Sequence, residues 1–386
     1  MQFTSIAESY KNQLLNEVIP FWEDRVTDTE QGGYFNYFTR DGTRFSDDKP
    51  GWFVGRTMHT FAALHSEFGH LDTGNKWLNI AKAGREFFNT SFYAGNGRFN
   101  KMLTRDGCVL EGTTSIFTDC FAVKGLYEYI HATGYNPSDI ELALQLSQKL
   151  FANLKDPEIV QQGSHLQTHA ATFMSLVVAQ ESRKIFGNKY QPVIDECINR
   201  SLFQFANDTH QAPLEYLAPD GSPVLTGRGR LIDPGHTMEA LWFAMEEGVH
   251  TERAGQVLDW VIDRCYDEEY GGFYHICDID GGKPKDNLDT VDYGIAKINW
   301  NDKVWWVQCE ALVALAMSAR LNNNPRHYKY FLKQMEFTES LFRDKEYGEW
   351  YAFVKPDGTI LSDIKGFAGK GPYHVPRCLM KLATLR

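Results

Sequence analysis

Five times along the chain a short aromatic run leads into Asp-Gly. The copies read QGGYFNYFTRDGTRF at 31–45, GNGRFNKMLTRDGCVL at 95–110, PLEYLAPDGSPV at 213–224, YGGFYHICDIDGGKP at 270–284 and YGEWYAFVKPDGTIL at 347–361. A strand-like run followed by Asp-Gly marks a tight hairpin turn. The pairs begin at 41, 106, 220, 280 and 357, so the intervals are 65, 114, 60 and 77. The long interval fits two units, one lacking its hairpin. The chain therefore reads as six units of about 64 residues each.

Helical patterns lie between the hairpins. Apolar residues recur at three- and four-residue spacing in 53–68, 113–130, 236–247 and 303–320. A unit of about 64 residues holds two helices and a hairpin. Six helix pairs closed in a ring make an all-α double toroid, an (α/α)6 barrel, and closure removes the ends that an open solenoid has to cap. The short β-hairpins then collect in the loops on one face. No linker or low-complexity stretch interrupts the pattern, so residues 1–386 are expected to form a single catalytic domain.

Composition narrows the class. Hydrophobic residues are 43% and charged residues 23%, ordinary for a globular protein with a large core. Aromatic residues are 14%, which suits a carbohydrate site, although packing between helices accounts for most of them. The net charge of −11 and the lack of a basic cluster argue against nucleic acid. The seven cysteines are scattered, odd in number and without a C-x-x-C pair, so neither a disulfide frame nor a metal site is expected. The amphipathic, acidic N-terminus does not look like a signal peptide, and no apolar run is long enough to span a membrane. A cytoplasmic location is the resulting expectation.

The strongest local motif is GRLIDPGHTMEALWF at 229–243. Asp233 is a good N-cap and Pro234 suits the first helical position, which puts His236 in the first turn with Glu239 on the same face. A helix N-terminus disfavours an imidazolium, so His236 is expected to stay neutral and able to accept a proton, with Glu239 orienting it or tuning it upward. A plain capping role is the alternative. In GKGPYHVPRCLM at 369–380, His374 and Arg377 flank Pro376 where a loop enters a helix. Such a pair suits an anionic or polyhydroxyl ligand; a solvated loop is the alternative. Glu310, in the apolar WWVQCEALVALAM, must be paired or have a raised pKa. Trp305 and Trp306 before it form either a sugar platform or core. Arg56, if buried, needs partners that an acid-rich pocket supplies. His169 at a helix start is a third pocket histidine or a capped helix residue. Phosphate-binding, dinucleotide, nucleophile-elbow and zinc-protease motifs are all lacking.

The segments RLIDPGHTMEALWF, KVWWVQCEALVALAM, FRDKEYGEWYAFV and KGPYHVPRCLM together resemble the N-acylglucosamine 2-epimerase family, in its order and spacing, and SIFTDCFAVKGLYE and VGRTMHTFAAL look like its earlier helices. The resemblance implies an (α/α)6 barrel, usually homodimeric, with the site in the barrel mouth. It implies His236 and His374 as the acid–base pair, Arg56 as the pocket arginine, and Glu239 and Glu310 as acids of the site. Arg377 and Lys370 match its C-terminal ligand loop. Relatives acting on cellobiose or mannose carry a further histidine near 165–175, approximated here by Gln167, Thr168 and His169, with Ala171 as the other candidate for that place. No metal or redox cofactor is implied; ATP is implied only as an effector that is not consumed. An aldose–ketose isomerase, a glycoside hydrolase using Glu239 and Glu310, and a non-catalytic sugar-binding protein remain open as alternatives.

Overall fold

All five Asp-Gly turns close in the same way. In each, the glycine N–H bonds to the carbonyl three residues earlier: Gly42 to Thr39, Gly107 to Thr104, Gly221 to Ala218, Gly281 to Asp278 and Gly358 to Lys355. The residue that opens each turn donates in its own right to the carbonyl four residues on, from Thr39 to Thr43 in the first copy and from Lys355 to Thr359 in the last. The glycines sit at φ between 83° and 89°, whereas none of the aspartates has positive φ. These are therefore turns closed by one left-handed glycine, not two-residue turns that need positive φ at both positions.

The structure, a computed structural model, describes residues 3–161 and 165–385. Among them, twelve helices form two concentric rings. The inner ring is α2 (Gly51–Phe68), α4 (Ile116–Thr133), α6 (His169–Phe186), α8 (Pro234–Glu246), α10 (Trp305–Leu321) and α12 (His374–Ala383). The outer ring is α1 (Thr4–Gln13, continued by Leu14–Val18 and Ile19–Glu23), α3 (Lys76–Phe87), α5 (Pro137–Asn153), α7 (Gln191–Asn199), α9 (Thr251–Cys265) and α11 (Pro325–Leu341). Helix α12 touches α2, which closes the inner ring, and α1 packs on α12, so the first helix completes the last pair. The four helical patterns read in the sequence are all inner helices. Inner helices are apolar around most of their circumference because neighbours cover them on every side.

Short strands lock the units into sequence. The residues leading into an inner helix pair with the hairpin of the following unit: Lys49–Pro50 with Met102–Leu103, Gln167–Thr168 with Tyr216–Leu217, Leu231–Ile232 with Cys277–Asp278, and Lys303–Val304 with Phe353–Val354. The bridge from Gly366 to Phe38 repeats this across the two ends of the chain. Ahead of α4 no such pairing occurs among the described residues, because the unit after α4 is the one without a hairpin.

A second repeat went unread in the sequence. Asp28, Asp267 and Asp344 each open a loop, accepting from the backbone two and three residues on, and each binds a fully buried lysine: Lys49 at 3.0 Å, Lys303 at 2.8 Å and Lys365 at 3.0 Å. Each lysine lies two residues before an inner helix or in the strand-like segment ahead of one, so the ion pair ties an outer helix's end to the next inner helix's start. Breaking such a buried pair from one side leaves an uncompensated charge.

Helices α2 and α4 cross at two glycines. A Cβ on Gly55 would lie 2.3 Å from the Phe121 backbone, and one on Gly125 would lie 2.5 Å from the Gly55 carbonyl oxygen. Backbone cannot yield as a side chain does, so Gly125→Ala should force the helices apart. The expected cost is about 1–3 kcal/mol, read as a fall of several degrees in the thermal midpoint by circular dichroism. An unchanged midpoint would mean that the crossing has slack.

Among the described residues no helix is long and apolar enough to cross a membrane. All seven cysteines are unpaired, and only Cys108 is exposed.

Candidate active site

The inner helices run in the same sense, so their N-termini surround one mouth of the toroid on the hairpin side. A cavity of about 260 Å³ lies there. Every inner helix lines it from its first two turns: Trp52 and Arg56 on α2, Phe117 and Phe121 on α4, Ala170, Phe173 and Met174 on α6, His236 and Glu239 on α8, Trp305 and Trp306 on α10, and His374 on α12. Tyr293 and Gly369 add loop contacts. Six helix N-termini aimed at one volume favour negative charge developing within it.

Asp233 caps α8 as its sequence implies, accepting the His236 backbone N–H at 3.0 Å, with Pro234 in the first turn. The expectation of a neutral His236 is overturned. Its Nδ1 lies 3.2 Å from Glu215 Oε1 and 3.4 Å from Asp233 Oδ2. Burial opposes the charge, but Asp233 and Glu215 outweigh it and push the imidazole up to about 10. Two carboxylates within contact distance exceed the partial positive charge of a helix end. With Nδ1–H given to Glu215, Nε2–H is left as the donor. Glu239, expected to orient this ring or tune it upward, does raise it through space, behind Asp233 and Glu215, while its Oε1 accepts from Arg377 Nη2 at 2.6 Å.

Glu215 was missed in the sequence. It sits inside the PLEY hairpin run, 21 residues before His236, and no helical or strand spacing links the two. Replacing it with Gln removes one of two carboxylates from the ring. The alkaline limb of the kcat/KM profile should then move to lower pH, since His236 loses its proton more easily. A pH profile superimposable on the wild type would remove Glu215 from this role.

His374 is the electrostatic opposite of His236. Burial, then the positive charges of Arg56 and Arg377, hold it well below the ordinary imidazole range. Its Nδ1 donates to Glu310 Oε1 at 2.8 Å, leaving Nε2 with a free lone pair. Glu310 is a hub: Oε1 also takes Arg377 Nη2 at 2.6 Å, and Oε2 takes Trp242 Nε1 at 2.7 Å.

Trp306 packs beside both histidines. Ring centroids are 5.2 Å from His236 and 5.9 Å from His374, and Phe173 covers the other side of His236 at 5.2 Å. Gly235 allows this, since a Cβ there would fall 2.2 Å from the Trp306 ring. Trp305, named with Trp306 from the sequence, also lines the cavity but is 1% exposed and packs on Phe353 and Phe367. Arg56 reaches the cavity, held by rings rather than by the acids expected. Its guanidinium lies 3.9 Å from the Phe121 centroid and 4.7 Å from that of Tyr373, and its Nε has no partner.

Four candidates fall outside the cavity. Arg377 lies beneath it, bridging Glu239, Glu310 and the Tyr373 hydroxyl. Lys370 is buried against Glu349 at 2.9 Å and is a structural cation. His169 turns away and stacks on Phe205 at 4.7 Å, while the cavity wall at that level is Ala170, Phe173 and Met174. Glu310 does not line the cavity either, and it shares one guanidinium nitrogen with Glu239. That is not two carboxyls flanking a glycosidic bond.

Two clusters of potential metal ligands are each filled by a protein cation. Glu239, Glu310 and His374 surround Arg377 Nη2, and His59, Glu128 and Glu181 surround Lys184 and Lys124. The second cluster belongs to a separate cavity of about 440 Å³ at the opposite mouth, where Arg183 pairs with Glu247 and Lys381 with Glu246.

A helical toroid with one deep cavity at the N-terminal ends of its inner ring is the architecture of (α/α)6-barrel enzymes of carbohydrate chemistry. Cellobiose 2-epimerase from Bacillus thermoamylovorans B4167 superposes with a TM-score of 0.81 at 17% identity, covering 98% of this chain and 99% of that one. A β-1,3-1,4-glucanase from Paenibacillus sp. X4 superposes at 0.63 and 10% identity, covering 98% and 92%. Those two likenesses establish the fold. The sequence decides between the branches: the profile of the N-acylglucosamine 2-epimerase (GlcNAc 2-epimerase) family matches residues 33–378, and the N-acylglucosamine 2-epimerase of Mus musculus is 31% identical, covering 95% of this chain and 88% of that protein. The chain belongs to the N-acylglucosamine 2-epimerase family.

Proposed function

We propose that the protein interconverts N-acylglucosamine and N-acylmannosamine by moving the proton on C2 of the open-chain sugar. The observation that carries this reading is the pair of imidazoles that line one cavity beside Trp306, His374 with its Nδ1 on Glu310 and His236 with its Nδ1 between Glu215 and Asp233. Removal of a proton alpha to a carbonyl needs a base on one face, and inversion needs an acid on the other. His374 Nε2 takes the C2 proton, and Glu310 on its Nδ1 offsets the charge it gains. The electron pair moves into an enolate whose oxygen faces Arg56 and the inner-helix N-termini. His236 then returns a proton to the opposite face of C2. Positioned proton transfer is worth about 100- to 10,000-fold per group, and electrostatic stabilisation of the enolate is commonly the larger contribution.

The test is a sugar panel in deuterated water: N-acetylglucosamine, N-acetylmannosamine, mannose and cellobiose, each with and without ATP. Deuterium at C2 with the epimer as product supports the reading. A ketose product would make the protein an aldose–ketose isomerase on the same scaffold. The ATP arm tests whether it is an effector that is not consumed. Under the same reading the protein is a cytoplasmic homodimer with a small sugar as its partner, which sedimentation and fractionation test directly.

A further inference from the structure

Tyr293 sits at the tip of an extra hairpin, Thr290–Asp292 paired with Lys297–Asn299, inserted between α9 and α10 and separate from the Asp-Gly copies. The side chain reaches the cavity wall and packs on Trp305 and Phe353. Its hydroxyl accepts from Trp306 Nε1 at 3.2 Å and lies 3.0 Å from His275 Nε2. With an indole N–H already directed at this oxygen, the phenolic proton points to His275. Nε2 of His275 is then the acceptor, and its Nδ1, buried and without a partner, carries the ring proton. Burial lowers His275 to about 4, so it rests neutral, and Asp233 is near enough to favour its charged form. A neutral imidazole that is 3% exposed, wired to a phenol on the cavity wall, has no task in the C2 step.

The C2 step has a prerequisite. An aldose is mostly a closed ring without a C1 carbonyl, and its C2 proton is not acidic until the ring opens. If His236 donated its proton to the ring oxygen, it would be neutral when the opposite face of C2 needs a donor. We infer that Tyr293 and His275 form a proton shuttle at the anomeric centre, giving the protein a second activity, the interconversion of α and β anomers of its sugar, separable from C2 exchange. This rests on the reading that the cavity binds a reducing sugar.

The step balances without any co-reactant. Tyr293 takes the O1 proton while its own proton moves to His275 Nε2. The O1 electron pair forms the C1 carbonyl, and the C1–O5 bond breaks with its pair going to O5. Tyr293 then protonates O5 and recovers its proton from His275. Both groups end as they began, and the states of His236 and His374 are untouched. Reclosure on either carbonyl face gives either anomer.

The experiment follows pure α-N-acetylglucosamine by polarimetry, with C2 deuterium read in parallel by NMR. Wild type should accelerate anomerisation over buffer, and His374→Gln should keep that acceleration while losing C2 exchange. Tyr293→Phe, which keeps the packed ring, and His275→Asn should each cut the acceleration at least tenfold in the His374→Gln background, with melting temperature and sugar binding by tryptophan fluorescence retained. No acceleration by wild type, or wild-type acceleration in both Tyr293→Phe and His275→Asn, overturns the shuttle. Failure of the epimerase reading looks different: wild type would show anomerisation without C2 deuterium.

Discussion

His374→Gln is expected to lower C2 proton exchange by about a thousandfold, within the range found for a positioned acid–base group, with little change in sugar binding. Glutamine matches the imidazole in reach and can still bond Glu310, so the ring of helices is undisturbed. What disappears is the lone pair at Nε2. His374 takes its place at the site through one hydrogen bond to a carboxylate that is itself held by Arg377 and Trp242. The measurement is deuterium at C2 of N-acetylglucosamine, alongside the melting temperature. Exchange within tenfold of wild type would end the assignment of His374 as a base.

Glu310→Leu should damage the fold as well as the chemistry. Glu310 is 1% exposed and receives hydrogen bonds from three groups, His374, Arg377 and Trp242. Leucine leaves the Arg377 charge with Glu239 alone and orphans two ring N–H groups. Removing one partner from a buried ionic network costs about 3–5 kcal/mol, so the urea midpoint should fall sharply. Glu310→Gln separates the roles. It keeps the shape and an acceptor, so stability should recover in part, while activity stays low because no carboxylate offsets the charge His374 gains. Equal stability of the Leu variant and wild type would show that the hub does not hold the floor of the cavity together.

These two expectations rest on contacts that differ in how far the sequence foretold them. His374 and His236 were legible because each stands where a loop enters a helix, next to a residue with a positional signature: Pro376 in one case and the Asp233–Pro234 cap in the other. The acids that set their charge were only half legible. Glu310 stood out as a carboxylate in an apolar helix. Glu215 did not, because it lies in a hairpin 21 residues before His236, at no helical or strand spacing from it. Likewise Lys370 and Arg377 share a loop motif with His374 yet lie behind the cavity wall, and His169 is one residue from Ala170, which lines it.

Local order is what the sequence determined on its own. Five turns follow from a glycine that takes positive φ without strain, four of the six inner helices from recurring apolar residues, and the (α/α)6 ring from the count of units, all of them properties of neighbouring residues. Which side of an inner helix faces the cavity was left to the tertiary structure, since both sides are buried and periodicity cannot separate them. So were the protonation states of the two histidines. Charge acts through space: Asp233 and Arg377 stand close to their histidines in sequence, but Glu215 and Arg56, which act with them, are brought up only by folding.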